Sequence, residues 1–328
     1  MAWLAAPVQA KAKYIEFDVS GSQSTVGRGI NDLNEVTGNY SDDAGVSHGF
    51  VRDPQGRITT FDASESLTLP LAINNEGAVA GYGLGVAFIR AVDGSIVTFS
   101  VPGATSTSAQ SINNRGAVAG EAYESGNTYH AFLRTSDGTI QAFDVANATS
   151  TIAVSINDQG IITGSYNDGT TNHGFLRLAD GSIVTFDAPG AYGRQGTVPY
   201  SIDNGNTVVG FYEGKDFAFH GFARAADGTI ATFDAPHAVR TFTLDVASRP
   251  VSVLGISGSY AVGEGKDEFE NSFGFLREPD GRMSRFHAPD AGAGSYEGTE
   301  PSAINVRGAV TGGYLSADDH VHGFLRLP

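Results

Sequence analysis

The chain has 328 residues, a net charge of −16 and no cysteine, and it is 41% apolar and 17% charged. The acidic balance excludes a nucleic-acid surface, which needs a basic face for phosphates. The lack of cysteine excludes disulfides, thiolate metal sites and a thiol nucleophile, and no run of about 18 apolar residues offers a bilayer-spanning helix.

Residues 1–12 read MAWLAAPVQAKA. The patch from Ala2 to Pro7 is apolar, and Ala10-Lys11-Ala12 has the small-x-small form of a cleavage site. A complete secretory signal would carry a basic start and a longer apolar core. The segment is therefore either a truncated signal remnant or a disordered tail, outside the fold. A lone strand-like run follows, Tyr14-Ile15-Glu16-Phe17-Asp18.

From there one pattern is written seven times. Its first anchor is Ile30, Ile73, Ile112, Ile156, Ile202, Ile256 and Ile304, each preceded by a small residue. Its second is a glycine after an apolar pair: Gly38, Gly81, Gly120, Gly164, Gly210, Gly263 and Gly312. Its third is an aromatic with an arginine two residues on, from Phe50-x-Arg52 to Phe324-x-Arg326. Its fourth is a Thr-Phe-Asp-like run around Phe17, Phe61, Phe99, Phe143, Phe186, Phe233 and Phe286. Spacing runs from 38 residues (Phe50 to Phe88) to 54 (Ile202 to Ile256).

Copy four, SINDQGIITGSYNDGTTNHGFLRLADGSIVTFD, shows four short β-rich runs bounded by turn signals. Asp-Gly pairs such as Asp93-Gly94 and Asp180-Gly181 mark hairpins. Gly77, Gly116, Gly160 and Gly308 share a turn position with Asn34 and Asn206, as expected where φ is positive. No segment keeps a helical period. The pattern predicts an all-β, seven-bladed β-propeller of four antiparallel strands per blade, a single domain over residues 13–328. The last copy ends at Leu327-Pro328 without a fourth run, so the N-terminal strand is expected to close the last blade and remove a sheet edge.

His130-Ala131-Phe132-Leu133-Arg134, with His-Gly-Phe-Leu-Arg in other copies and the Ile-Asn-x-x-Gly and Thr-Phe-Asp pieces, resembles the bacterial HAF-repeat proteins, described as extracellular repeat proteins. The resemblance runs from Tyr14 to Arg326. Copy two (Val86-Ala87-Phe88) and copy six (Phe273-Gly274-Phe275) depart from it by lacking the His. It implies a secreted or periplasmic protein and no particular activity.

The five repeated histidines, His48, His130, His173, His220 and His322, sit at equivalent places around a ring, too far apart to share one ion. They are expected to be structural, bonding a neighbouring blade. Arg177 is expected to pair with Asp180 or Asp187. No metal site and no cofactor are predicted; Asp42-Asp43 and Asp318-Asp319 lack the spacing of a calcium loop.

Function is expected where the copies differ. The connections from 19 to 29, 188 to 201, 235 to 255 and 288 to 303 vary in length and share one face with the loops from 213 to 217 and 264 to 272. They hold Arg28, Arg194, Arg240 and Arg249, with Tyr192, Tyr200, His237, Tyr296, Glu297 and Glu300 close by. Arg28, Gln110 and Tyr200 stand two residues before the anchoring Ile, near the channel mouth. These residues suit a glycan, including an anionic one, because Arg grips carboxylates bidentately and Tyr offers a flat face. The reading is a binding or scaffold protein, its partner an oligo- or polysaccharide or another protein. The alternative is a polysaccharide lyase on uronic-acid polymers, with Arg194 or Arg240 neutralising the carboxylate and Tyr200 or His237 moving the proton.

Overall fold

The β-branched and aromatic runs of each copy become strands, and among the described residues there is no helix. The computed structural model describes residues 12–126, 128–236, 251–258, 260–267, 271–292, 297–317 and 319–328. Copy four gives the plan. Ser150–Ile156, Ile162–Asn167, Asn172–Arg177 and Ile183–Phe186 pair antiparallel in sequence order. The Asp-Gly pairs sit in three-residue hairpin loops. Gly181 is at φ 89° and donates to the Leu178 carbonyl, while Asp180 Oδ1 accepts from Ser182 N at 2.9 Å. The shared Gly/Asn turn position is left-handed as expected, from φ 63° at Asn206 to 78° at Gly160.

Four copies form separate four-stranded sheets. The other twelve strands form one larger sheet. Within it, antiparallel runs are joined by single parallel bridges, Ser272 to Gly298 and Ser24 to Val321. The N-terminal strand Lys13–Phe17 pairs antiparallel with the last strand, Val321–Leu327, from Lys13 opposite Leu327 to Phe17 opposite Gly323.

The first strands begin earlier than the sequence pattern suggested. Ser24–Ile30, Thr197–Ile202 and Gly298–Ile304 lie largely inside stretches read as connections. The reason is a β-bulge in every first strand, for example between Gly27 and Gly29 and between Pro199 and Ser201. One extra residue breaks the period of two by which a strand is recognised.

The core lies between adjacent sheets. Ala119, Ala131 and Val145 of copy three pack with Ala153, Ile156, Ile162 and Phe175 of copy four. Each fourth-strand phenylalanine meets the third-strand phenylalanine of the next copy edge to face, as in Phe143–Phe175 at 6.1 Å and Phe17–Phe50 at 5.8 Å. The repeated arginines lie over the same rings: Arg177 is 4.9 Å from the Phe143 centroid and Arg52 is 5.3 Å from that of Phe17. Of the expected Asp pairing only a solvated attraction between Arg177 and Asp180 is seen, with no close ion pair. Arg177 instead donates to Gln141 Oε1 at 3.1 Å, because the neighbouring sheet offers a ring face where an exposed Asp would give a screened pair. A buried first-strand threonine finishes each of several joints; Thr151 Oγ1 accepts from Val145 N at 3.1 Å and Thr299 Oγ1 from Ala288 N at 2.8 Å.

The histidines are also corrected. They bond within their own sheet rather than to a neighbour. His48 Nδ1 meets Asp62 at 2.7 Å and His173 Nδ1 meets Asp187 at 3.0 Å, both fourth-strand ends. His322 meets Asp18 at 2.8 Å, fastening the N-terminal strand. His48 also stacks on Tyr40, centroids 4.9 Å apart. Burial opposes the His48 imidazolium, but Asp62 and Asp42 outweigh it and hold the pKa above the usual histidine value. A raised folded pKa stabilises fully below the unfolded pKa of about 6.5 and is lost as pH rises through the folded value. The melting-temperature difference between the wild type and His48→Gln is therefore expected to be larger at pH 6 than at pH 8.5. An equal difference at both would show that the pair does not titrate.

At the axis, the asparagines that follow the anchoring Ile in five copies form a relay. Asn31 Nδ2 donates to Asn74 O, Asn74 to Asn113 O, Asn113 to Asn157 O and Asn157 to Asp203 O, at 2.9–3.1 Å. Asn305 donates to Asn31 O at 3.0 Å, joining the last copy to the first. Each Oδ1 turns inward to its own turn; that of Asn113 accepts from Arg115 N and Ala117 N. Copy five has Asp203 here, which lacks the amide N–H, and copy six has Ser257.

Candidate functional site

The first strands of all seven copies line one axial cavity of about 280 Å³. A bulged strand re-aims its extra residue. Here the extra residues are Arg28, Leu71, Gln110, Val154, Tyr200 and Ser302, all on the cavity wall. The relay of asparagines, with Asp32, Asn75, Asn114, Asp158 and Asn204, lines its other end. Those side chains are largely consumed in bonds to one another, such as Asn114 Nδ2 to Asp158 Oδ2 at 2.8 Å. The bulge end is where chemistry differs between copies.

Arg28 donates from Nε to Asn39 Oδ1 at 3.0 Å. It reaches solvent but is walled by protein. Desolvation lowers its pKa, against the pull of Glu300 and Tyr82. On the second strand of copy six, Glu264 is half-buried. Burial and the nearby Glu300 raise its pKa, opposed by Lys266 at 3.4 Å and by the Ser272 hydroxyl, which donates at 2.9 Å. Arg28, Glu300, Glu264 and Lys266 thus form a chain of alternating and like charges reaching from the cavity wall to copy six. Tyr200 is also on the cavity wall, its ring 5.8 Å from that of buried Phe211.

A second cavity, about 410 Å³, opens between the sheets of copies two and three. Tyr82, Tyr123 and Tyr129 line it, with Ser108, Gln110 and Glu121. Tyr123 and Tyr129 are cross-strand neighbours with centroids 5.2 Å apart. Gln110 belongs to both cavities and donates to Ser108 Oγ at 3.1 Å and Glu121 Oε1 at 3.3 Å. Burial raises the Glu121 pKa, with Gln110 opposing. Gln110 therefore stands where the tyrosine-walled groove meets the more polar axial cavity.

The expected residues divide into three groups. Arg28, Gln110 and Tyr200 come together at the axial mouth, and Glu300 stands beside Arg28. Tyr192 and Arg194 are exposed on a loop away from this cavity; Arg194 O accepts from Asn172 N at 3.1 Å. Glu297 is half-buried where Ser272 N donates to its carbonyl. His237, Arg240, Arg249 and Tyr296 lie outside the described residues. Tyr82, Glu121, Tyr123 and Tyr129 were missed. A signal existed for two of them: the position after each second-strand glycine reads Asn39, Tyr82, Glu121, Ser165, Phe211, Glu264 and Gly313, with only Glu used twice.

Among the described residues, Glu16, Asp18 and His322 place three ligand atoms within 4.8 Å of one another. This group closes the N-terminal strand onto the last strand and lies apart from the recess lining.

No family model and no curated protein matches the chain. Solved structures do. A streptogramin B lyase is similar with a TM-score of 0.64 at 14% identity, over 97% of this chain and 98% of that one. Virginiamycin B lyase from Staphylococcus aureus gives 0.63 at 14% identity, over 97% and 100%. The BP39L lectin from Burkholderia pseudomallei gives 0.52 at 10% identity, over 92% and 96%. At these identities the likeness is one of fold: an all-β chain of the β-propeller type.

Proposed function

We propose that residues 13–328 form a seven-bladed propeller of the HAF-repeat kind that works outside the cytoplasm as a glycan-binding protein. The observation that carries this is the recess of Tyr82, Tyr123 and Tyr129 joined through Gln110 to Arg28 at the axial mouth. Aromatic faces take the C–H faces of sugar rings by apolar contact and leave hydroxyls to bond Gln110, Ser108 and Glu121. Arg28 supplies a cation where an acidic sugar could end. The fold likeness to a lectin is consistent with this use of the ring. No helix among the described residues is long and apolar enough to cross a membrane.

The test is calorimetric titration with hexasaccharides of β-1,4-glucose, N-acetylglucosamine and galacturonate. At least one should bind, and Tyr123→Ala should weaken it about tenfold, roughly 1.4 kcal/mol. Absence of binding across the panel would overturn the proposal.

A lyase acting on uronic-acid polymers is the second reading. It is favoured by the presence of Tyr200 and a desolvated Arg28 in one cavity. In that version Arg28 neutralises the carboxylate and Tyr200 moves the proton. Galacturonate polymer should then gain ultraviolet absorbance from new double bonds, and Tyr200→Phe should abolish the gain. A flat trace removes this reading and leaves binding intact.

A further inference from the structure

Among the described residues, three copies show in full the same five-residue turn between second and third strands. In copy one Asp42 N donates to Val46 O and Gly45 N to Asp42 O. In copy five Gly214 N donates to Ala218 O and Phe217 N to Gly214 O. In copy seven Ser316 N donates to His320 O and Asp319 N to Ser316 O. The fourth residue is left-handed each time: Gly45 at φ 77°, Phe217 at 58° and Asp319 at 61°. Glycine is free in that region and aspartate tolerates it, but a bulky aromatic does not. Phe217 gains no burial in return, being 59% exposed. Copy five therefore carries two local costs, backbone strain and an exposed ring, at a position where other copies use glycine or aspartate. Broken local rules of this kind collect at functional sites.

A second exposed aromatic stands beside it. Tyr192 is 49% exposed, and its ring lies 6.0 Å from that of Phe217 at 77°. The two loops are tied together by Glu213. Its carbonyl accepts from Tyr192 N at 2.7 Å, its carboxylate from Gln195 N at 3.1 Å, and its own N donates to Gly196 O at 3.0 Å. The turn is also anchored through Asp216 to His220, 3.3 Å away, and His220 meets Asp234 at 2.6 Å. The rings thus form a fixed corner. Exposed Arg194 lies two residues after Tyr192 and exposed Lys215 two before Phe217, and the Glu213 carboxylate is held at the Tyr192 loop by Gln195 N.

We propose that Tyr192 and Phe217 are a second saccharide platform, which seats one pyranose ring by its C–H face while the bordering groups bond its hydroxyls. The inference rests on the saccharide reading above and extends it to a chain long enough to touch two sites. Two side chains are far too small a patch for a protein partner, which needs about 800 Å² per side. They match the apolar face of a single sugar.

The experiment compares wild type, Phe217→Gly, Tyr192→Ala and Tyr123→Ala by titration with the three hexasaccharides and their monosaccharides, alongside melting temperatures. Phe217→Gly relieves the strained backbone, so its melting temperature should hold or rise. Its affinity for the bound hexasaccharide should fall about tenfold, while monosaccharide binding in the tyrosine groove stays unchanged. Tyr192→Ala should follow it. Hexasaccharide affinity unchanged in Phe217→Gly would overturn the platform, and a loss in Tyr123→Ala alone would leave the groove standing. Loss in Phe217→Gly with none in Tyr123→Ala would support the platform and overturn the groove. No saccharide binding to wild type overturns both.

Discussion

Removal of residues 1–18 is expected to lower the melting temperature by about 10 °C and to make the protein prone to self-association. The strand Lys13–Phe17 is the outer partner of Val321–Leu327 over its whole length. Phe17 is buried, 7% exposed, and packs edge to face on Phe50 while Arg52 covers its ring. Burying one such ring is worth roughly 1.5–3 kcal/mol, and the cation over it about 1 kcal/mol more. The His322–Asp18 bond and the ladder bring the total to about 5 kcal/mol, or around 2 °C per kcal/mol for a chain of this size. Deletion also bares the edge of Val321–Leu327, a template for another chain. Phe17→Ala in the full chain isolates the packing part, with an expected loss of about 3 kcal/mol and no self-association. A melting temperature unchanged by the deletion would mean that the N-terminal strand is not part of the stable fold.

Asn113→Ala is expected to cost about 3 kcal/mol, read as a shift in denaturant midpoint at constant slope. Asn113 is 4% exposed, and its amide satisfies three backbone groups at once. It donates to Asn157 O at 2.9 Å and accepts from Arg115 N at 3.0 Å and Ala117 N at 2.9 Å. Alanine leaves those groups without partners in a place water reaches poorly, at about 1 kcal/mol or more each. Asn113→Asp keeps both acceptor bonds and loses the donor, so about half the effect is expected. Asp203 shows that aspartate fits the turn, accepting from Thr207 N at 2.8 Å. A loss below about 0.5 kcal/mol for Asn113→Ala would show that the relay is ornamental.

The repeat was legible because packing repeats. The anchoring Ile and the third-strand Phe recur since every sheet buries them against its neighbour; Ile156 and Phe175 share one cluster. The turn glycines recur since φ is positive there. The partners of the repeated Arg and His were not legible. Arg177 meets Phe143, 34 residues earlier, and His322 meets Asp18 at the far end of the chain; both pairings depend on how sheets adjoin. The candidate site was half legible. Arg28, Gln110 and Tyr200 could be placed by counting from the Ile. Tyr82 and Glu121 occupy a position where six residue types serve seven copies, so they look like scatter until the fold brings them together along one groove.

The asparagine relay runs one way around the axis, from copy seven through copy one to copy five, each donor handing on to the backbone of the next copy. Copies five and six carry Asp203 and Ser257 at this position. In mechanical language the hub is a hoop of links all hooked in the same sense: a pull on one link is passed to its neighbour rather than held within one sheet. Loosening a single link should therefore be felt first in the copy it hooks onto, so that a change at Asn113 softens the turn of copy four, where Asn157 O accepts its amide.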